Sequence, residues 1–460
     1  MKKVIVIGGG LAGCEAALQL AKRNIYVDLY EMKPEKFSKA HSNKDLAEIV
    51  CSNSFKSNKI TNACGLLKEE LRMLGSFLIK TADETSVPAG QALAVDREIF
   101  SRKVTELIEN NEYINVIRKE ITEIPSGEIV IIATGPLTSE KLSENISKLT
   151  GGDKLFFYDA AAPIIEKENI NFNIAFYGNR YDEEKKKDET IEEWKERLKT
   201  SEASYINLPM NEEEYNNFYN ELINAEIVEL HEFEKKEIFE GCMPIEVMAK
   251  RGKDTLRYGP LKPMGFDDPR FAKRPYAVVQ LRQDNYDASL YNMVGFQTNL
   301  KFGEQKRVFS LIPGLENANF VKYGVMHRNT FINSTTLLDE TYNLKNNRNI
   351  FFAGQITGVE GYVESIASGL VAAINAAKMT EIQDNSNIEE EYENKKVVFP
   401  KTTIIGALAK YISTYNENFQ PMNANFGILE ELETARIKDK KVKYQKYADA
   451  SINTIKNMTI

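Results

Sequence analysis

Apolar and polar residues alternate in blocks at the start of the chain, and their pattern predicts a strand, a helix and a second strand. The apolar, β-branched run at 4–7 is followed by three glycines and then by an alanine-rich helical segment at 14–21. A second short run at 26–30 ends on Glu31. Strand, helix and strand in this order are typical of the βαβ unit that builds a parallel sheet.

The turn between the first strand and the helix has the spacing Gly-x-Gly-x-x-Gly. In this motif Gly8 allows a tight turn, Gly10 lets the backbone approach a pyrophosphate, and Gly13 lets the helix pack closely on the strand. Phosphates are expected at the helix N-terminus, and Glu31, 18 residues after Gly13, on a ribose hydroxyl. The candidate dinucleotide-binding residues are Gly8, Gly9, Gly10, Leu11, Ala12, Gly13 and Glu31.

The strand pattern of this sheet continues in two later parts of the chain. An apolar run at 128–136 predicts a returning strand, and another at 349–354 precedes a helix of small residues at 363–373. The sequence thus predicts an α/β fold in which a Rossmann-like cofactor domain is split by an inserted α+β domain. Further candidate cofactor-binding residues after the last strand are Gly354, Gln355 and Gly358.

The predicted parts of the chain have the following limits. We place the first part of the cofactor domain at 1–160, the insertion at 161–330, and the second part, with C-terminal helices, at 331–460. The charged segment 182–199 predicts a solvated helix with a narrow apolar face. The acidic, asparagine-rich stretch 384–394 predicts a linker.

Composition places the chain among globular proteins of two or three domains. It has 460 residues, of which 42% are hydrophobic and 27% are charged. No apolar run reaches the roughly 18 residues of a membrane span, and the first residues form a strand rather than a signal, so we expect a cytoplasmic protein with no membrane contact. Four cysteines without Cys-x-x-Cys spacing and three scattered histidines predict no metal site.

Two of the cysteines are candidate nucleophiles, and the other two are expected to be packing residues. Cys51 lies among small polar residues ahead of a lysine, which suits a thiolate. Cys242 lies in a turn between glycine and proline and is followed by basic residues. A buried structural thiol is the alternative at both positions. Cys14 and Cys64 have apolar helical surroundings, so we expect them in the core.

A basic tract at 250–282 stands out in a chain whose net charge is −8. It holds nine basic and three acidic residues, with aromatic residues between them. That combination suits phosphate contacts and base stacking, although a solvated basic loop is an alternative. The candidate RNA contacts in it are Lys250, Arg251, Arg257, Arg274 and Arg282. A second polar cluster, either a contact with substrate or cofactor or a structural network, contains His327, Arg328 and Asn329.

Several short segments of the sequence, taken together, resemble the corresponding segments of the folate- and FAD-dependent tRNA uracil-5-methyltransferases. The resemblance runs from end to end and covers residues 8–17, 51–57, 93–97, 133–138, 158–164, 241–246, 326–334 and 419–427. It implies an FAD-binding domain of the glutathione-reductase type. It also implies methylation of C5 of the T-loop uridine at tRNA position 54, with 5,10-methylenetetrahydrofolate as carbon donor and NADPH or NADH reducing the flavin.

The resemblance further implies roles for the two thiols. Cys242 is the candidate nucleophile for C6 of uracil, and Cys51 is a second essential thiol near the flavin. The general base is open between Cys51 and Glu246. One departure is that Gln355 follows Gly354, where disulfide reductases often place an aspartate on the ribitol.

Three alternative functions remain open at this point. A related flavoenzyme of wobble-uridine modification shares the opening motif but is longer and needs a GTPase partner, whereas no stable protein partner is evident here. Some mycoplasma relatives methylate large-subunit ribosomal RNA with the same chemistry. The composition of this chain, rich in lysine, asparagine and isoleucine, fits an AT-rich genome and so keeps this alternative open. A flavin-binding RNA module without turnover is the third.

Overall fold

The computed structural model describes residues 2–38, 40–152, 155–180, 186, 188–199, 204–228, 243–382, 387–432, 437 and 439–459. Within these residues the chain forms two large hydrophobic cores. One combines apolar side chains from 4–146 with those from 331–455, and the other draws on 162–320. The two ends of the chain therefore build one body, and the middle builds a second.

The first body contains a mainly parallel sheet. Its strands are β1 Lys3–Ile7, β2 Tyr26–Glu31, β6 Ile114–Arg118, β7 Ile129–Ile132, β16 Asn343–Leu344 and β17 Asn347–Phe352. They lie in the order β16-β17-β7-β1-β2-β6, and only β16 pairs antiparallel. Val4, Val6 and Ile131 are fully buried, as in sheets that helices cover on both faces. The predicted α/β fold is confirmed.

Helices of this body pack on the sheet and on one another, and α1, α4 and α12 contact the sheet strands directly. The helices are α1 Leu11–Ala21, α2 Ala63–Met73, α3 Phe77–Glu84, α4 Arg97–Glu109, α5 Glu140–Thr150, α11 Ser334–Leu337, α12 Tyr362–Met379, α13 Ile388–Lys395, α14 Ile404–Ser413 and α15 Lys440–Asn457. A Cβ atom at Gly13 would lie 1.8 Å from the Gly8 oxygen, and one at Gly369 would lie 2.3 Å from the Ala12 oxygen. Glycine at these positions therefore lets α1 approach both β1 and α12.

The second body is built on a sheet of the order β10-β11-β12-β13-β9-β14, in which neighbouring strands pair antiparallel. Its strands are β9 Ile164–Glu166, β10 Phe176–Tyr177, β11 Tyr205–Met210, β12 Ala277–Gln283, β13 Leu290–Met293 and β14 Phe320–Lys322. Its helices are α6 Ile191–Lys199, α7 Glu212–Asn224, α8 Ile245–Lys250, α9 Thr255–Tyr258 and α10 Phe302–Phe309.

Two smaller sheets complete the fold. At the junction of the two bodies, β8 Leu155–Ala160 pairs antiparallel with β15 Met326–Phe331. Near the predicted loop cysteine, a small sheet contains β3 Ser54–Ser57, β4 Ser86–Val87 and β5 Ala92–Val95. No helix in the described part of the chain combines the length and apolar character needed to cross a membrane.

One sequence-based expectation about a charged segment needs correction, and another is confirmed. In the predicted linker at 384–394, residues from Ile388 onward form α13, because Tyr392 is fully buried and gives this acidic segment an apolar contact. Residues 384–386 lie outside the described chain. The helix predicted within 182–199 is confirmed at α6, and its narrow apolar face, with Trp194 and Leu198, is buried against the second body.

A buried carboxylate joins three helices of the first body. Glu70 of α2 accepts hydrogen bonds from the backbone N–H groups of Ile404 (2.7 Å) and Ile405 (2.9 Å) and from the Ser451 hydroxyl. The carboxylate thereby provides hydrogen-bond acceptors for N–H groups in the first turn of α14, which have no acceptor within the helix. Burial raises the pKa of the Glu70 carboxyl to about 7, although these hydrogen bonds oppose the shift.

The raised pKa predicts a pH dependence of stability. Because the folded state binds the Glu70 proton more tightly than the unfolded state, this contribution is complete below about pH 4.5 and is lost as pH rises through about 7. We expect Glu70→Gln to be less stable than wild type, since an amide oxygen replaces only one of two acceptors. Its free energy of unfolding in urea should nevertheless decline less than that of wild type between pH 5 and 8. Parallel pH profiles would contradict this assignment.

Candidate cofactor groove and active site

A groove opens where the carboxyl ends of β1, β7 and β17 meet the N-terminus of α1. It has about 1120 Å³ of empty volume and is lined by backbone-rich segments of both halves of the first body. Ligands of open α/β sheets bind at this edge. Lining residues that the sequence predicts are Gly8, Gly9, Gly10, Leu11, Ala12, Glu31, Gly354 and Gln355.

The first turn of α1 is shaped to receive an anion. Gly10 is the N-cap and provides no side chain over the helix end, and a Cβ atom built on it would meet nothing within 4 Å. The first N–H groups of a helix carry partial positive charge, which favours phosphate. An FAD pyrophosphate therefore fits this turn without any change of the backbone.

Glu31 lies at the end of β2 with both carboxylate oxygens oriented by backbone. It accepts hydrogen bonds from the N–H groups of Gly9 (2.8 Å) and Lys33 (2.9 Å). The Lys33 ammonium binds Glu48 at 3.1 Å and two backbone carbonyls, so it does not neutralise Glu31 directly. A carboxylate held in this way can accept hydrogen bonds from ribose hydroxyls.

Of three other residues predicted to bind the cofactor, one lines the groove and two do not. Gln355 lines the groove, and its amide donates to Glu360 (2.8 Å), so its oxygen is oriented. Gly13 and Gly358 do not line the groove. A Cβ atom at Gly358 would lie 2.4 Å from the Phe419 ring, which explains a glycine there by packing.

Cys51 lies in a loop that the start of α12 supports. The N–H groups of Cys51 and Ser52 donate to the Tyr362 hydroxyl at 3.0 and 3.2 Å. Tyr362 also lines the cofactor groove, and the half-buried Cys51 thiol lies 3.7 Å from the Ala160 carbonyl oxygen. Tyr362 thus connects the backbone of the Cys51 loop to the groove.

Buried charges hold the Cys51 loop between the two bodies. Arg97 forms an ion pair with Asp284 at 2.9 Å and reaches the carbonyls of Ile49 and Val50 at 3.3 and 3.4 Å. Burial lowers the pKa of the Arg97 guanidinium, but Asp284 outweighs this effect and the pKa is raised. The loop therefore depends on an ion pair between the two bodies.

Arg282 lies in the same region and not on an exposed basic surface. Its guanidinium donates to Asn53 Oδ1 and to the Ser52 hydroxyl, both at 3.0 Å, and the residue is only 8% exposed. Lys322 is half-buried in the same region, near Arg97. Burial lowers the pKa of the Lys322 ammonium, and the Arg97 charge lowers it further, whereas Glu48 and Asp284 oppose the shift. Cations and carboxylates are therefore interleaved around the Cys51 loop.

Several of these residues were missed by the sequence analysis. Arg97 belongs to the matching phrase at 93–97, and Tyr362 follows the glycine-rich turn after β17, so a signal existed at both. No sequence signal pointed to Asp284, which directly follows β12, or to Lys322, the last residue of β14, because only the folded chain brings these parts of the second body to Cys51.

The other predicted thiol and polar cluster are only partly visible. Cys242 lies outside the described residues, as do the side chains of His327 and Arg328, whose backbone is in β15. Asn329 is buried. Glu246 accepts from the Thr298 hydroxyl (2.9 Å) and the Asn299 N–H (2.8 Å), and burial raises the pKa of its carboxyl.

The predicted basic tract forms a second, aromatic groove on the other body. Arg257 lies over the Tyr276 ring, 3.6 Å from its centroid, and Tyr258 and Phe271 are 84% and 52% exposed. Arg274 is exposed in the same groove, which has about 1400 Å³ of empty volume. Lys250 and Arg251 are exposed at the end of α8. Within the described ranges, no acidic, cysteine or histidine cluster suits a metal.

Comparison with known proteins bears on this arrangement. The family described as Glucose inhibited division protein A matches residues 3–384. A methylenetetrahydrofolate--tRNA-(uracil-5-)-methyltransferase TrmFO of Bacillus subtilis (strain 168) is 56% identical over 457 residues, which cover 99% of this chain and 98% of that protein. One from Acetivibrio thermocellus is 56% identical over 452 residues, with 98% and 97% covered.

A solved structure gives the same picture of the fold. Aquifex aeolicus GidA, in its form II crystal, aligns with a TM-score of 0.64 at 17% identity and covers 98% of this chain and 73% of that chain. Fold and groove define a dinucleotide-binding α/β protein with an inserted second body. The chain belongs to the methylenetetrahydrofolate--tRNA-(uracil-5-)-methyltransferase TrmFO family, within the broader family described as Glucose inhibited division protein A. The family resemblance found in the sequence is confirmed.

The ion pair between the bodies predicts a strong effect of substitution. Arg97→Gln leaves Asp284 buried without its partner, so we expect a loss of about 3–5 kcal/mol in unfolding free energy, measured by urea denaturation. The matched control is Arg72→Gln, which removes more exposed contacts with Asp83, Glu69 and Asn58 and should cost clearly less, about 1 kcal/mol. Equal losses in the two variants would contradict the role assigned to Arg97.

Proposed function

We propose that this protein methylates C5 of a tRNA uridine, with 5,10-methylenetetrahydrofolate as carbon donor and FAD reduced by NADPH or NADH. The target is the T-loop uridine at position 54. The observation that carries the proposal is that Tyr362, which lines the dinucleotide groove, binds the backbone of the Cys51 loop in a chain of this family. The tRNA and folate are its partners, and a cytoplasmic location follows from that substrate.

The groove residues would hold FAD in a definite orientation. The first turn of α1 would hold the pyrophosphate, Glu31 would bind the adenosine ribose, and Gln355 and Tyr362 would contact other parts of the cofactor. When bound, the flavin supplies the reducing equivalents that a methylene-level carbon needs to become a methyl group. Small-residue packing of α1 against α12 keeps these binding elements rigid.

A thiolate provides the remaining chemistry at the uracil ring. Uracil C5 is a poor nucleophile until a nucleophile adds to C6, and a cysteine thiolate does this well. We assign that addition to Cys242. After carbon–carbon bond formation at C5, loss of the C5 proton expels the thiolate and restores the ring. Cys51, in the loop that Arg97 and Arg282 hold through hydrogen bonds, serves as the second thiol.

The aromatic groove of the second body is the proposed RNA surface. Exposed Tyr258 and Phe271 offer faces for unstacked bases, while Arg257, Lys273 and Arg274 supply charge for phosphates. Lys250 and Arg251 extend this charge along α8. Because the substrate base is stacked in folded RNA, it must leave its stack to reach a thiol.

The activity is tested by nucleoside mass spectrometry. Purified protein is incubated with an unmodified tRNA transcript, methylenetetrahydrofolate and NADPH, and the RNA is digested. We expect 5-methyluridine from the T-loop, and its loss by about a thousand-fold or more in Cys51→Ala and Cys242→Ala.

The control for the thiol variants is Cys64→Ala, since burial raises the pKa of that thiol to about 11 and it serves packing. Activity equal to wild type in Cys51→Ala and Cys242→Ala would indicate a flavin-binding module without thiol chemistry. Absence of product from tRNA, together with 5-methyluridine in ribosomal RNA transcripts, would redirect the proposal to that substrate.

The aromatic groove predicts a separate defect in RNA binding. Tyr258→Ala combined with Phe271→Ala should weaken tRNA binding about ten-fold or more, because base stacking on an aromatic ring is worth about 1–3 kcal/mol. Bound flavin, read from its absorbance, should not change. Tyr415→Ala, at an exposed tyrosine of the first body, is the matched control and should bind RNA normally. Normal affinity in the double variant would count against this surface.

A further inference from the structure

We propose that a lysine-lined groove between the loop after β3 and the first half of α15 binds the phosphate backbone of the RNA substrate, away from the reacting uridine. This inference rests on the proposed function, because it concerns the same substrate. It assigns a second contact surface on the first body, whereas the aromatic groove is on the second. The groove is lined by Lys59, Thr61, Lys441, Val442, Gln445 and Lys446.

The described lining of this groove contains three lysines and no acidic residue. Lys440 and Lys443 add to the lysines of α15 that line it, and Lys59 faces them from a different element. The two nearest acids in the helix sequence have other partners: Asp439 caps the Lys441 N–H at 2.8 Å, and Asp449 accepts from Gln445 at 2.9 Å. Among the residues that the structure describes, Lys59, Lys441 and Lys446 form no ion pair.

Both walls of the groove are rigid. A Cβ atom at Gly65 would lie 2.0 Å from the Lys59 carbonyl oxygen, so α2 packs directly on the backbone of Lys59. On the other wall, Tyr444 of α15 stacks on Phe426 with centroids 4.5 Å apart. Cations on a preformed surface bind phosphate without the entropy cost of ordering a loop.

Both walls of the groove are linked to the Cys51 region, one along the chain through β3 and the other through a hydrogen bond to α12. β3 joins Cys51 to Lys59 over eight residues, so the two Cα atoms are at most about 28 Å apart. The segment that contains Ala424 and Phe426, on which α15 packs, is hydrogen-bonded to the start of α12, because the Ala424 N–H donates to Glu364 at 2.9 Å. A double-helical RNA stem of about ten base pairs that ends at Cys51 is long enough to reach the lysines.

The shape and composition of the groove favour RNA over a membrane surface. A helix that lies on a lipid surface exposes an apolar face. The apolar residues of α15 do not form such an exposed face, since Tyr447, Ala448 and Ile455 are buried in the protein core. Val442 is the apolar residue of this helix that lines the groove. Lysines on opposite walls of a concave surface suit a phosphate chain that passes between them.

The test is the salt dependence of RNA binding by the intact flavoprotein. Lys441→Gln combined with Lys446→Gln should weaken the Kd for an unmodified tRNA transcript about ten-fold near 0.1 M salt. The slope of log K against log salt, between about 0.05 and 0.2 M, should fall by about 2. Lys456→Gln, at an exposed lysine in the last turn of the same helix, is the matched control and should change neither value. Unchanged flavin absorbance per chain shows that the variants are folded.

Three outcomes would overturn the proposal. One is an unchanged Kd and slope in the double variant while wild-type protein binds the transcript. Another is an equal loss in Lys456→Gln, which would show a general effect of net charge. The third is unchanged RNA affinity together with lysine-dependent co-sedimentation of the protein with phosphatidylglycerol vesicles. If wild-type protein neither binds nor methylates the transcript, the proposed function fails as well.

Discussion

The buried ion pair between Arg97 and Asp284 is the interaction on which the active-site region depends. It joins the first and second bodies, and the same guanidinium binds the backbone just before Cys51. A buried charge is tolerated only with a partner and further hydrogen bonds, so each body needs the other at this point. The position of the loop thiol is therefore a property of the assembled chain.

The cofactor side of the site is built from a different principle, which is close backbone approach. Glycines at the contacts of α1 with β1 and α12 remove the side chains that would separate these elements. The first N–H groups of α1 have no partner within the helix, and the N-cap Gly10 leaves them uncovered for a phosphate. Glu31 completes the site with a carboxylate that backbone N–H groups orient.

Electrostatics divides the surface into separate regions despite an overall charge of −8. Arg257 and its neighbours form an aromatic, basic groove on the second body, and Lys59 with Lys441 forms a smaller one on the first. Arg282 belongs to the same basic tract in the sequence but is buried, where its charge serves the Cys51 loop. The net charge of a segment is therefore a poor guide to which of its cations meet solvent.

The sequence by itself determined the parallel sheet, the glycine turn, Glu31 and the family, because these depend on local periodicity and on residues close in the chain. It also identified Cys51 as a thiol in polar surroundings. Only the tertiary structure decided that Asp284 and Lys322 lie near Cys51, that Arg282 is buried, and that Ile388–Lys395 is a helix. Those facts depend on which distant segments meet, and that contact is decided by burial of side chains from both bodies rather than by any local pattern.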